Sequence, residues 1–265
     1  MTLEFSETIR TLQAQLAAWQ NGIASEQHFW NQWMQKQGLE WPDDFTRRLD
    51  AAAPFDDWVA PVVRSLGQSE VSVLDVGAGP ITILGYILTG VKLVLTATDP
   101  LTPIYNDLID RYGLNPPLRT IFAPAEELSA FFGPNSFDIV HCRNALDHSF
   151  DPVRGIVEML KVVRVGGWIL LRHFENEAER GNYEGFHQYN FDCRDGRFVI
   201  WNKSIQIDVA KSLPPQCEVL VEKSGTVIVR IRKTGEIPIS DPLFRYRLAD
   251  YLEAFVRVAG GTTYK

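Results

Sequence analysis

The sequence predicts an α/β fold: a mostly parallel sheet with crossover helices, an N-terminal helical arm and C-terminal antiparallel hairpins. Three observations carry this expectation. Short runs rich in Val, Ile and Leu recur at 71–76, 91–97, 118–123, 137–142 and 168–173. Helical stretches lie between them, and a glycine turn follows the first run directly. Strands that are apolar throughout are covered on both faces, which is the condition of a parallel sheet wrapped by helices.

The arm occupies residues 1–50. Phe5, Ile9, Leu12, Leu16 and Trp19 recur at steps of four and three, one side of a 3.6-residue repeat. Asn21-Gly22 reads as a break, Ser25 as the N-cap of a second helix carrying Phe29, Trp30, Trp33 and Met34, and Gly38 as its end. Trp41-Pro42-Asp43-Asp44 opens a third helix through Leu49, its acids in the first turn where the helix dipole favours them. Such an arm serves as a cap, as packing, or as a homodimer surface. The body follows over 51–265. Its crossovers are expected at 81–89, 103–112, 125–132 and 152–163, and a substrate-side insertion at about 175–215. Arg194-Asp195-Gly196 joins a hairpin of 189–192 with 197–202. Ser224-Gly225 joins 217–223 to 226–233, and a last helix spans 243–258.

Composition narrows the function. The 265 residues carry 26 basic and 33 acidic side chains, a formal net charge of −7, which argues against a basic nucleic-acid clamp or an anionic-lipid binder. With 45% hydrophobic and 22% charged residues the chain is globular rather than disordered. No apolar run is long enough for a bilayer, and the N-terminus has no secretory stretch, so a cytoplasmic protein is expected. Cys142, Cys193 and Cys217 are far apart and read as reduced and structural, and no spacing predicts a metal site.

The chemistry centres on Val73-Leu74-Asp75-Val76-Gly77-Ala78-Gly79-Pro80. Gly77 and Gly79 allow a ligand to approach the backbone; a tight turn with no ligand is the plainer reading of the same residues. Asp99 ends the second strand, where a carboxylate can accept both hydroxyls of a ribose. Asp75 lies in an apolar strand end, where an unpaired carboxylate is costly, so it needs a cation or several donors. A pyrophosphate would be repelled there, and Thr82 replaces the third glycine of a dinucleotide fingerprint. A ligand with an ammonium group and a ribose fits better.

With these motifs in this order, residues 71–174 resemble the class I S-adenosylmethionine-dependent methyltransferases. The Asp75–Pro80 segment is similar to their first motif, Asp99-Pro100 to their ribose-binding acid and the residue beside the adenine, and Ala123-Pro124-Ala125-Glu126 to their adenine-side segment. Phe137–Val140 with Asn144 onward is similar to their fourth-strand motif, and Val165-Gly166-Gly167-Trp168 to the turn before their fifth strand. The resemblance implies a Rossmann-like domain and S-adenosylmethionine as cofactor, held by Asp75, Gly77, Ala78, Gly79, Pro80, Asp99, Pro100, Ala125, Glu126 and Asn144. Two departures stand out: Ile81 replaces a family glycine, and Pro124 replaces an aspartate that binds the adenine amino group, so Glu126 or backbone groups must substitute.

An implied methyl transfer to a hydroxyl needs the acceptor held about 3 Å from the methyl carbon, and a base for its proton. His148, His173 and His187 are the candidates, since imidazole titrates near neutral pH. His148 serves equally as a loop brace. His187 sits in the polar-aromatic cluster Phe186-His187-Gln188-Tyr189-Asn190-Phe191, which suits a sugar-like acceptor. His28 and His141 read as structural, and Asp147 and Glu175 as alternative bases or metal ligands, though at no specific metal spacing. The expected function is O-methylation of a small polar metabolite. Its alternatives are a cofactor-binding scaffold without turnover and a nicotinamide-dependent oxidoreductase.

Overall fold

The computed structural model describes residues 2–237, with the backbone alone over 2–14 and at 18; the helix expected at 243–258 and the side chains of Phe5, Ile9 and Leu12 lie outside the described part. Helices α1 (Thr2–Gln35), α2 (Pro42–Leu49) and α3 (Ala60–Ser65) precede strand β1 (Glu70–Val76). Then come β2 (Lys92–Thr98), α4 (Thr102–Arg111), α5 (Leu128–Phe131), β3 (Phe137–Arg143), α6 (Pro152–Val162) and β4 (Val163–His173). The remainder is α7 (Glu177–Arg180), β5 (Asn190–Arg194), β6 (Arg197–Trp201), β7 (Gln206–Asp208), α8 (Val209–Ser212), β8 (Cys217–Lys223) and β9 (Val227–Lys233).

The main sheet has the order β2-β1-β3-β4-β9-β8, parallel from β2 to β4 and closed by the antiparallel β8-β9 hairpin. Strand β1 is followed on one side by β2 and on the other by β3, so the chain reverses direction across the sheet at the β1/β3 boundary. Open α/β sheets bind ligands outside the carboxyl ends of their strands at such a point. A second sheet, β5-β6-β7, packs Phe191, Phe198 and Ile200 into the same core as Leu74, Val140 and Leu171. Asp195 (φ 50°) and Gly196 (φ 72°) form the expected left-handed two-residue turn between β5 and β6.

Three expected elements differ. The arm's first two helices are one, because Gly22 lies inside α1 to make room for a ring: a Cβ there would sit 2.0 Å from Phe186 Cδ1. Ser25 caps nothing, and its hydroxyl donates back to the Gly22 carbonyl (2.8 Å). The crossover expected at 81–89 is not helical. Its carbonyls are taken from outside by arginines of α2: Arg48 donates to Ile81 (2.7 Å) and Arg47 to Ile83 and Leu84, while Arg47 also donates to Pro54, which lies before α3. Gly85 (φ 73°) fixes the path, since a Cβ there would lie 2.2 Å from the Pro54 carbonyl oxygen. The strand expected at 118–123 is reduced to one bridge, Thr98 to Ile121. Pro116-Pro117 and Pro124 bracket it without backbone donors, leaving only Ile121 N–H to Ala97 and Asp99 N–H to Ile121.

Candidate active site

At the carboxyl ends of β1, β2 and β3 lies a cavity of about 480 Å³. Its floor is Asp75 to Gly79, Asp99 to Leu101, and Cys142 to Leu146; its roof is the aromatic side of α1, with Trp19, Trp30 and Trp33. Asp99 is buried, and its two oxygens accept one N–H each, Oδ2 from Gly79 (3.1 Å) and Oδ1 from Leu101 (2.8 Å). Each oxygen keeps a lone pair for a further donor. Burial pushes this carboxyl up to about 7 against the pull of those N–H groups.

Asp75 is provided for within the protein. His141 Nδ1 meets its Oδ1 at 2.7 Å, and the Thr82 hydroxyl donates to Oδ2 (2.6 Å). The residue that breaks the dinucleotide fingerprint thus satisfies the acid, and no ligand ammonium is needed to explain its burial. The glycines are likewise accounted for by protein contacts. A Cβ at Gly77 would sit 2.5 Å from Ala145 Cβ, and one at Gly79 2.8 Å from the Trp30 ring, so α1 rests directly on the turn. Glu126 lines the cavity, but its Oε1 accepts the Phe150 (2.8 Å) and Asp151 (3.2 Å) N–H groups, and burial pushes it up to about 8. Asn144 is left-handed (φ 47°) and accepts from Phe174 N–H (3.0 Å), bracing the ends of β3 and β4. Pro100 and Ala125 line the cavity; Pro80 does not, its carbonyl instead accepting the Thr120 hydroxyl (3.1 Å).

The three candidate histidines converge on one acid. His148 lines the cavity, and its Nε2 lies 3.2 Å from His187 Nδ1 and 3.5 Å from Asp147 Oδ2. His187 Nδ1 is 3.0 Å from the same oxygen, and His173 Nδ1 is 4.0 Å from Asp147 Oδ1. Burial pushes the Asp147 carboxyl up, but the charge of His148, the His187 hydrogen bond and His173 outweigh it and hold it below the usual carboxylate range. The Asp147 hydrogen bond raises His187, whereas burial drives His173 down to about 4, so His173 is neutral at physiological pH. His187 and His173 stand behind His148, outside the cavity wall.

Residues 74–171 match the family model for a methyltransferase domain. That match spans 98 of the 265 residues, from within β1 to near the end of β4, and over it the chain is similar to methyltransferase domains. The sheet is a Rossmann-like, mostly parallel sheet with an added antiparallel hairpin. No curated protein matches the sequence. Among solved structures it is similar to a didemethyltoxoflavin N1-methyltransferase of Burkholderia thailandensis (14% identity, 80% of this chain and 89% of that one, TM-score 0.41). It is also similar to a SAM-dependent methyltransferase of Methanosarcina mazei (16%, 66% and 98%, TM-score 0.40). A third is the 16S rRNA N2 G1207 methyltransferase of Thermus thermophilus (13%, 70% and 41%, TM-score 0.36). No helix among the described residues is long and apolar enough to cross a membrane.

Several wall residues escape sequence reasoning. Glu26 accepts the Trp30 indole N–H (2.7 Å) and lies 4.0 Å from His148 Nδ1, yet in the sequence it is one more acid on a helix. Arg48 pairs with Asp44 (2.8 Å) and stands over Trp30 and Trp33, 5.7 and 5.5 Å from the ring centres. The arm's tryptophans were a legible signal; its charged residues were not. Glu175 is drawn away from the histidines into an ion pair with Lys223 (2.5 Å).

Proposed function

We propose that the protein is an S-adenosylmethionine-dependent methyltransferase that moves a methyl group to a hydroxyl of a small polar acceptor bound under the N-terminal arm, with His148 accepting the hydroxyl proton. The observation that carries the reading is that His148 shares a cavity with Asp99 and the glycine turn, while its Nε2 faces Asp147 and His187. The residues suit the cofactor: a buried carboxyl with spare lone pairs, an aromatic roof, and a volume within the range of about 300–1,000 Å³ usual for such sites. Asp99 would hold the ribose hydroxyls and Pro100 and Ala125 would border the adenine. Glu126 would act through the 150–151 turn that it ties down. When bound, S-adenosylmethionine supplies a methyl group on a positively charged sulfur.

The chain's own part is positioning, drying and proton handling. A proton on His148 Nε2, donated toward Asp147, leaves Nδ1 free on the side of Glu26, a cavity residue. Asp147 thereby selects the tautomer in which His148 can act as a base. Trp19, Trp30, Phe174 and Phe186 exclude water, and Glu26, Asp44 and Arg48 offer polar contacts to an acceptor with several hydroxyls. In this reading residues 1–50 are the cap, 51–265 the transferase body, and about 175–215 the acceptor-side insertion. The acidic net charge disfavours nucleic-acid acceptors.

Calorimetric titration of S-adenosylmethionine, followed by a product assay on sugar, phenol and amine panels, tests this. Binding and transfer to a hydroxyl, slowed about 10²–10⁴-fold in His148→Ala, are expected. No binding to the wild type ends the reading, and tight binding with no product from any panel favours a scaffold without turnover.

A further inference from the structure

We infer that Asp147, His148 and His187 form a binding site for one divalent transition-metal ion of the zinc class. Asp147 Oδ2, His148 Nε2 and His187 Nδ1 make a triangle with edges of 3.0, 3.2 and 3.5 Å. Zinc binds imidazole nitrogen and carboxylate oxygen at roughly 2.0–2.2 Å, so two ligands of a tetrahedral ion stand about 3.3 Å apart. The triangle has the size of one face of that tetrahedron. Two imidazoles and one carboxylate, with a fourth position open, are the donor set of a reactive rather than a purely structural zinc site.

Protons alone serve the cluster poorly. A ring nitrogen carries at most one hydrogen, so if both nitrogens are protonated the nitrogen-nitrogen edge joins two donors, and if one is, it cannot donate along two edges at once. A cation inside the triangle faces three lone pairs. Asp147 is buried, and beside the triangle its Oδ1 and both ring nitrogens of buried His173 have no hydrogen-bond partner, so no hydrogen-bond donor outside the site's histidines claims this carboxylate. Buried polar atoms of this kind ordinarily have partners. The other nitrogen of His148 lies on the side of the Glu26 carboxylate, 4.0 Å away and without a hydrogen bond to it. No sequence motif marks the site, because Asp147-His148 follow β3 whereas His187 comes from the loop before β5.

Metal binding does not depend on the proposed function, but it bears on it: a metal on Nε2 replaces the proton that keeps Nδ1 free, so an occupied site and His148 as base exclude one another. The full chain, stripped with a chelator, is titrated with Co2+ by visible absorption and with Zn2+ against a chromophoric chelator. One equivalent, with the strong visible bands of four-coordinate Co2+, is expected. His148→Gln and His187→Gln should each weaken binding at least tenfold, and His28→Gln, an exposed histidine of α1, should leave it unchanged. His187→Cys should restore one equivalent with a thiolate-to-cobalt band, which a variant lost to misfolding cannot produce. Absence of stoichiometric binding, or binding unaltered in His187→Gln, overturns the site. S-adenosylmethionine affinity measured in chelator separates this result from the fate of the proposed function.

Discussion

Two buried acid-histidine groups lie at the ends of neighbouring strands and differ in completeness. Asp75 has a partner on each oxygen, His141 of β3 and Thr82 of the crossover, although His141 Nε2 has none of its own. Asp147 has three histidines around it, yet only one of its oxygens has a hydrogen-bond partner. A carboxylate paired on both oxygens is committed to the fold, whereas one with an unpaired oxygen can still take a proton or a metal. Residue type does not separate the two; the count of partners does.

The sharpest break of this contrast is His148→Ala. Transfer should fall about 10²–10⁴-fold, the usual worth of a positioned base, with cofactor affinity unchanged by calorimetry; an unaltered rate would remove His148 from the chemistry. Next comes the completed group. His141→Ala leaves Asp75 buried with one partner lost and should cost about 3–5 kcal/mol in urea unfolding, as for other broken buried pairs. Asp147→Asn, in the group that is already incomplete, should cost less than half of that, and equal losses would abolish the distinction.

Asp99→Ala should weaken S-adenosylmethionine about 10–100-fold, the worth of one or two hydrogen bonds to a carboxylate. Affinity that stays the same would move the ribose elsewhere. The smallest effect is on pH. Asp99 and Glu126 have folded pKa values raised to about 7 and about 8, so the native state keeps protons that the unfolded chain has released. Stability should therefore fall as pH rises from about 5 to 8, and Glu126→Gln should flatten that slope in thermal unfolding. A stability that rises over this window would show that neither carboxyl is protonated in the fold.

The four parallel strands, the glycine turn, Asp99 and both hairpins were legible because each depends on short-range pattern: apolar runs, Gly at left-handed positions, and Asp195-Gly196 in a two-residue turn. The lost crossover at 81–89 was not, because arginines over thirty positions earlier in the chain satisfy its carbonyls. Nor was the continuity of α1 past Gly22, which answers to a ring at position 186.

By itself, then, the sequence determined the mostly parallel sheet and the likeness to a methyltransferase domain, since both rest on local periodicity and on motifs contiguous in the chain. Only the tertiary structure decided that Asp75 closes on His141, that the arm roofs the cavity, and that His148, His173 and His187 share one carboxylate. Those facts depend on which side chains from distant segments meet and how many donors each buried oxygen finds, and no spacing along one strand of sequence encodes that.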